Sequence, residues 1–471
     1  MFTFLISIAI LIGGYFIYGS FVEKIFNTDD NIKTPALTME DGVDYIPMSW
    51  PRIFLIQFLN IAGLGPIFGA VAGALWGPVA FLWIVFGCIF AGAVHDFFSG
   101  ALSIRHKGSS VSEIVGIYLG EKVKKLMTVF TVVLLILVGV VFVMGPAGLL
   151  NNITGLNKTL LIGLIIAYYL LATVLPVDKL IGKIYPLFGA SLLIMAFGIG
   201  FGIIFKGYTI PEITLANMHP GKTPIFPYLF ITIACGAISG FHATQSPLMA
   251  RCVRKESEMR RIFYGSMIAE GIIALIWAAA AIAFFGGTDG LSSVLVNGGP
   301  GVVVNEISNS LLGKVGGVLA LLGVVACPIT SGDTAFRSAR LVIADFINLK
   351  QEKTKNRFVI AIPLFAVGIL LTQINFTIIW RYFSWSNQTL ATIMLWAAAS
   401  YLVKENKNHW ICTIPATFMT SVTMSYILQA KEGFKMAGGI SNAIGIAFAI
   451  VLLILFIKKT INKKDNKSLS A

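Results

Sequence analysis

Thirteen apolar runs, each near the length that crosses a bilayer, constrain this chain more than any other feature. They cover residues 2–19, 52–72, 77–102, 127–149, 159–175, 184–205, 227–248, 263–286, 314–332, 358–373, 376–401, 409–428 and 439–458. A segment in lipid must satisfy its own backbone, so about 20 apolar residues in a row mean a transmembrane helix. Only 12% of the 471 residues are charged, against about 25% in soluble domains. The mean hydropathy of +0.84 agrees. The expected fold class is an all-α polytopic membrane protein with about 13 transmembrane helices, bounded by lipid. The ninth run is expected to continue towards residue 348 as an amphipathic helix.

The net charge of +13 does not indicate a nucleic-acid partner, because the basic residues are scattered between apolar spans and form no basic face. They are topology signals. The stretches after odd-numbered spans hold 28 of the 35 Lys and Arg residues, those after even-numbered spans hold 6, and Arg381 lies inside span 11. By the positive-inside rule this puts the N-terminus outside and the C-terminus in the cytoplasm. The N-terminus lacks the basic region and small-residue cleavage site of a signal peptide, so residues 2–19 are expected to remain as a helix. Five cysteines (Cys88, Cys235, Cys252, Cys327, Cys412) lie mostly in spans without CxxC spacing. Neither disulfides nor a zinc site are expected.

Two of the spans are interrupted. In FLNIAGLGPIFG, residues 58–69, Gly63, Gly65 and Pro66 break an apolar helix, with Gln57 and Asn60 beside them. In FITIACGAISGFHATQSPLMAR, residues 230–251, Ser239, Gly240, His242, Thr244, Gln245 and Pro247 do the same. A helix broken at membrane depth must face protein or a wet cavity, and paired broken spans mark secondary transporters. The breaks fall in spans 2 and 7, the spacing of two five-helix units with opposite orientation. The expected organisation is an N-terminal helix and loop (1–51), a first five-helix repeat (52–205), an inverted second repeat (206–401), and two C-terminal helices with a basic tail (402–471).

Polar residues inside spans are candidates for solute or ion binding, because lipid makes them costly. Asn60, Gly63 and Gly65 at the first break, with Ser239, Gly240, His242, Thr244 and Gln245 at the second, are the candidate substrate site. Close packing of small residues is the structural alternative at the first break, and a satisfied buried histidine at the second. Thr330, Ser331 and Asp333 in CPITSGDTAFRSAR (327–340), together with Glu270 in span 8, are candidates for a coupling cation or proton. Asp333 is equally placed to pair with Arg337 one turn on. His95 and Asp96 close span 3; as neighbours they face different sides of a helix, and a structural task, anchoring the loop at 104–114, is expected of them. No catalytic residues are assigned: the five histidines form no HExxH or HxxxH group and no nucleophile–base pair is evident, so an enzyme is not expected.

The segments MEDGVDYIP (39–47), AGLGPIFG (62–69), FAGAVHDF (90–97), ITIACGAISGFH (231–242) and GDTAFRSARL (332–341) resemble the carbon starvation protein A family from about residue 39 to about residue 402. The resemblance implies a bacterial inner-membrane transporter for peptides or, in some members, pyruvate with a proton. It also implies the five-plus-five inverted repeat of amino acid–polyamine–organocation transporters. On that fold, span 2 resembles the first core helix, span 7 the sixth and span 9 the eighth, which would put Thr330 and Ser331 where sodium-coupled relatives hold a cation. The chain departs from longer members at Ile56–Gln57, where they have histidines, and at Ala243–Pro247, where they have Ser-Gly-Thr-Thr-Pro. Substrate and coupling ion therefore do not transfer directly. The expected function is a secondary importer of a small solute, short peptides or a carboxylate such as pyruvate, coupled to protons or sodium and needing no other cofactor. A nutrient sensor or channel without coupled transport is the alternative, and oligomeric state is not legible.

Overall fold

A computed structural model describes the backbone of residues 1–42, 44–172, 178–347, 349, 351 and 353–468, with the side chains of 178–186, 345 and 460–468 outside that description. Among the described residues every regular element is helical. Nine helices among the described residues are long and apolar enough to cross a membrane, or ten when the bent pair Trp50–Ile61 and Leu64–Trp76 is taken as one span. The runs at 159–175, 227–248 and 376–401 also fall on helices but stop short of that criterion. Lys158–Ala172 is short, and residues 173–175 lie outside the described set. Span 7 is split, and Phe376–Lys404 carries Ser384, Asn387 and Gln388 along its length. The expected thirteen spans thus exceed what length and apolarity alone certify.

Burial separates central from peripheral helices. In Val79–Arg105 and Glu256–Phe284, 83% of the apolar window is buried inside the protein; in Gly438–Lys459 only 17% is. Spans 3 and 8 therefore form the centre of the bundle, and the last helix presents most of its surface outward. Both central spans contain wide π-type turns, at Trp83–Gly92 and Arg260–Tyr264, and span 9 has a third at Leu321–Ala326. Such turns shift the phase of the side chains that follow and often mark functional segments. Here they precede His95–Asp96, Glu270 and Cys327–Ser331.

The first span runs Phe2–Phe16 and, after a slight break, Tyr18–Phe26, so it is longer than the expected 2–19. Span 9 arrives through a long kinked segment, Thr288–Ala320, bent where Gly299 and Gly313 adopt left-handed φ of 73° and 60°. It then continues as Cys327–Phe346, the amphipathic extension expected from the sequence.

Connecting segments gather into two sets. Arg105 binds Glu256, Arg260 pairs with Glu23 at 3.0 Å, Lys407 Nζ donates to Phe26 O at 2.5 Å, and Arg251 Nε donates to Gly108 O at 3.1 Å. These join stretches that follow spans 1, 3, 7 and 11. A second set joins stretches after even-numbered spans and the start of span 1: Glu212 to Met1, Trp76 Nε1 to Thr223 O at 2.9 Å, and Thr288 Oγ1 to Met218 O at 2.9 Å.

Candidate functional site

Both sequence-expected breaks are present, and they touch. The first falls at Ala62–Gly63, with a bend of 49° between its half-helices. The second lies earlier than the polar residues implied: Tyr228–Thr232 ends, an irregular stretch follows, and Gly240–Ala250 resumes as helix. His242, Thr244, Gln245 and Pro247 are therefore inside the second half-helix, and the break itself is the small-residue run Ile233–Ser239. Small side chains permit the contact. A Cβ on Gly65 would lie 2.3 Å from Cys235 Sγ, and one on Gly240 would lie 2.3 Å from the carbonyl oxygen of Asn387. Both distances are far inside contact range, so these glycines set how closely the elements approach.

Two adjacent residues of span 11 hold the second break. Gln388 Nε2 donates to the carbonyl of Phe230, at the end of the first half-helix. Asn387 Oδ1 accepts from Phe241 N–H at 2.6 Å, while its Nδ2 donates to Ser239 Oγ at 3.1 Å. One carboxamide thus satisfies the carbonyl end, the other the N–H end, of a helix interrupted away from water. Neither residue is among the candidates read from the sequence, although Asn-Gln within an apolar run is the same kind of signal as His242. At the start of the second half-helix the Phe241 N–H is thereby already taken by Asn387.

Beneath the break lies a fully buried chain of ionisable groups, all with zero exposure. His95 Nδ1 is 2.8 Å from Asp96 Oδ1, and His242 Nδ1 is 2.8 Å from Asp96 Oδ2. On its other side, His242 Nε2 faces Glu270 Oε2 at 3.3 Å. Neither Glu270 oxygen, nor Nε2 of His242 or His95, has an aligned hydrogen-bond partner. His95 and Asp96, expected to face different sides of the helix and to anchor the 104–114 loop, instead hydrogen-bond each other and tie span 3 to His242. The Asp96 carboxylate has two oxygens, and each can take a different histidine even though adjacent residues diverge on a helix. Cys235 Sγ, His242 Nε2 and a Glu270 oxygen all lie within 4.8 Å of one another. This gathers a thiol, an imidazole and a carboxylate that motif spacing had not foreseen.

The remaining candidates sit around this centre in different states. Gln57 Nε2 donates to Ser246 Oγ at 3.3 Å, linking the first half of span 2 to the second half of span 7. Asn60 is buried. Thr244 Oγ1 donates to Phe241 O at 2.7 Å and receives Gln245 Nε2 at 2.9 Å, so both side chains are engaged locally. In span 9, Thr330 and Ser331 turn their hydroxyls back to Cys327 O, at 2.7 and 3.2 Å. Cys327 Sγ in turn lies 3.8 Å from Leu59 O beside the first break. Asp333 pairs with Arg337 at 3.1 Å, the structural option open from the sequence. The structure thus unites His242 and Glu270 but leaves Asp333 in a separate ion pair.

Discontinuous helices meeting in a helical bundle define the fold class of membrane transporters. Mhp1, a nucleobase-cation-symport-1 family transporter in a closed conformation with bromovinylhydantoin bound, superposes with a TM-score of 0.54 at 14% identity, covering 89% of this chain and 96% of that one. At that identity the likeness concerns the fold alone.

The chain belongs to the carbon starvation protein CstA family, whose model matches residues 1–155, 144–286 and 285–426. An uncharacterised membrane protein of Haemophilus influenzae is 46% identical over 352 residues, spanning 63% of this chain and 95% of that one. The peptide transporter CstA of Bacillus subtilis is 27% identical, with 96% of each chain covered. The pyruvate/proton symporter BtsT of Escherichia coli is 26% identical over 342 residues, 58% of this chain and 48% of its own length. This chain is accordingly a multi-pass membrane protein of a family whose named members are transporters.

Proposed function

We propose that this protein is a secondary active importer of small organic nutrients, either a small carboxylate such as pyruvate or short peptides, in the bacterial inner membrane. The observation that carries this reading is the meeting of the two broken spans, Gly65 against Cys235, around buried polar groups. A solute held where two discontinuous helices abut can be exposed to either side by rocking one bundle against the other. The substrate site is assigned to the faces of spans 2 and 7 bearing Asn60, Gly63, Gly65, Ser239, Gly240, His242, Thr244 and Gln245. The two inverted five-helix units, at 52–205 and within 206–401, supply the rocking bodies. Relatives named for peptide transport and for pyruvate/proton symport support this substrate range. Coupling to a cation follows from the density of buried ionisable groups, which a passive pore has no need to maintain. Thr330 and Ser331 are the sodium candidates, and the His242–Glu270 region is the proton candidate.

Uptake into proteoliposomes tests the reading. Labelled pyruvate, di- and tripeptides and amino acids are offered with proton or sodium gradients imposed separately. One class of solute accumulates above its external concentration under one gradient, and His242→Ala abolishes that accumulation. Uptake that equilibrates passively under every gradient would instead make the protein channel-like.

A further inference from the structure

Two unpartnered acceptors facing each other inside a membrane protein imply a proton between them. Asp96, when ionised, can only accept, so the Nδ1 atoms of His95 and His242 carry protons and donate to it. A neutral His242 then presents a lone pair at Nε2, 3.3 Å from Glu270 Oε2. An ionised Glu270 would place a second acceptor opposite that lone pair, in a site with zero exposure and at 3.3 Å, too close for a water to lie between them. The contact becomes favourable only when one extra proton is present. In so dry a place a neutral carboxylic acid beside a neutral imidazole costs less than an imidazolium–carboxylate pair, so the proton rests on Glu270.

From this geometry we propose that Glu270 and His242 form the proton-binding site that couples transport, with Asp96 and His95 as positioning residues that fix the tautomer of His242. The proposal rests on the transport reading above and names its coupling ion. The other titratable groups facing the site are the thiols of Cys235, in the break, and Cys88, on the wide turn of span 3, whose Sγ donates to Met267 O at 3.2 Å. The site joins three elements: span 3 through Asp96, the second half-helix of span 7 through His242, and span 8 through Glu270. Binding a proton from one side of the membrane closes the Glu270–His242 contact. Releasing it to the other side leaves two acceptors that repel, and the half-helix bearing His242 moves away from span 8. The proton cycle thus bears directly on the break where the solute is held.

Infrared difference spectroscopy of the purified protein, without any solute, reads the proton itself. The C=O stretch of a buried carboxylic acid is expected in acidic buffer, fades as the buffer is made alkaline, and is absent from Glu270→Gln. Glu270→Gln keeps the size and a hydrogen-bonding carboxamide, and its folding is checked by thermal unfolding in detergent. His95→Gln is expected to shift the midpoint of that titration while leaving the band, which a packing role alone would not do. In proteoliposomes, Glu270→Gln is expected to retain exchange of labelled pyruvate or dialanine across the membrane but lose accumulation driven by a proton gradient. A spectrum with no Glu270-dependent band, or a band that does not titrate, overturns the proton site whatever solute is carried. A titrating band in a protein that moves none of the solutes would instead leave the site standing and sink the transport reading. Activity abolished by a membrane-permeant chelator and restored by zinc would make Cys235, His242 and Glu270 a metal centre and overturn the proposal.

Discussion

Gly65 faces the side chain of Cys235 so closely that any added carbon must displace it: a Cβ would lie 2.3 Å from Sγ and 2.5 Å from the cysteine Cβ. Gly65→Ala is therefore expected to overpack the junction and destabilise the protein by roughly 1–3 kcal/mol. The double variant Gly65→Ala/Cys235→Gly should recover much of the lost thermal stability in detergent, because it removes both clashing atoms; no recovery would mean the two breaks do not share this contact. Much of this centre was legible residue by residue. His242, Ser239 and Glu270 drew attention because polar groups in apolar spans are costly, and Gly63 and Gly65 because they interrupt a helix. Asp96 was not legible as their partner, since His242 lies 146 positions further along and only packing brings the two together. The polar residues at 242–247 also misplaced the break. They lie on a continuing half-helix, and the chain actually leaves helical geometry in the nonpolar stretch Ile233–Ile238, which carries no polar side chain to mark it.

At the scale of elements, a broken helix survives in an apolar bundle only when its loose ends find partners. Asn387 supplies them for the second half-helix, accepting from Phe241 N–H and donating to Ser239. Asn387→Ala leaves a buried donor unmatched, at a cost of about 1–3 kcal/mol. Hydrogen exchange should then quicken at residues 239–245 of span 7 ahead of span 11; uniform exchange across both would show that the break holds itself. A second tie is electrostatic and outside the spans. Glu212 receives the Met1 ammonium, the Thr3 hydroxyl and the N–H groups of Thr3 and Phe2, and in that order these hold its carboxyl down to about 2 from an ordinary 4.5. A depressed acid stabilises the folded form fully above its ordinary value of 4.5 and loses that contribution progressively as the pH falls from there to about 2. The start of the first helix is accordingly expected to stay docked in mildly acid medium, and Glu212→Gln to fray residues 2–5 at neutral pH, read by the same exchange measurement. The wide turns of spans 3, 8 and 9 had no sequence signal, because they differ from α-helix by a single extra residue per turn and carry ordinary apolar side chains.

Across the whole molecule, charge and contact give one account of sidedness. The stretches that hold 28 of 35 basic residues are those after odd-numbered spans, and the structure joins four of them through Arg105–Glu256, Arg260–Glu23, Lys407–Phe26 and Arg251–Gly108. The basic-poor stretches after spans 2, 6 and 8 meet one another through Trp76–Thr223 and Thr288–Met218. Were any one of runs 3 to 8 alone to fail to cross, every later stretch would change sides and both sets would be divided. If the basic set faces the cytoplasm, as the positive-inside rule expects, Lys122 faces inward and Thr214 outward; both are exposed. All five native cysteines are buried, so a membrane-impermeant maleimide finds little background in the parent protein. In intact cells Thr214→Cys is expected to label at once, and Lys122→Cys only after the membrane is opened. Labelling in the reverse order would invert the orientation, and with it the direction in which a proton bound at Glu270 is released. Labelling of both in intact cells would mean that an odd number of the runs between 122 and 214 fails to cross, which would break the five-helix count of the first unit.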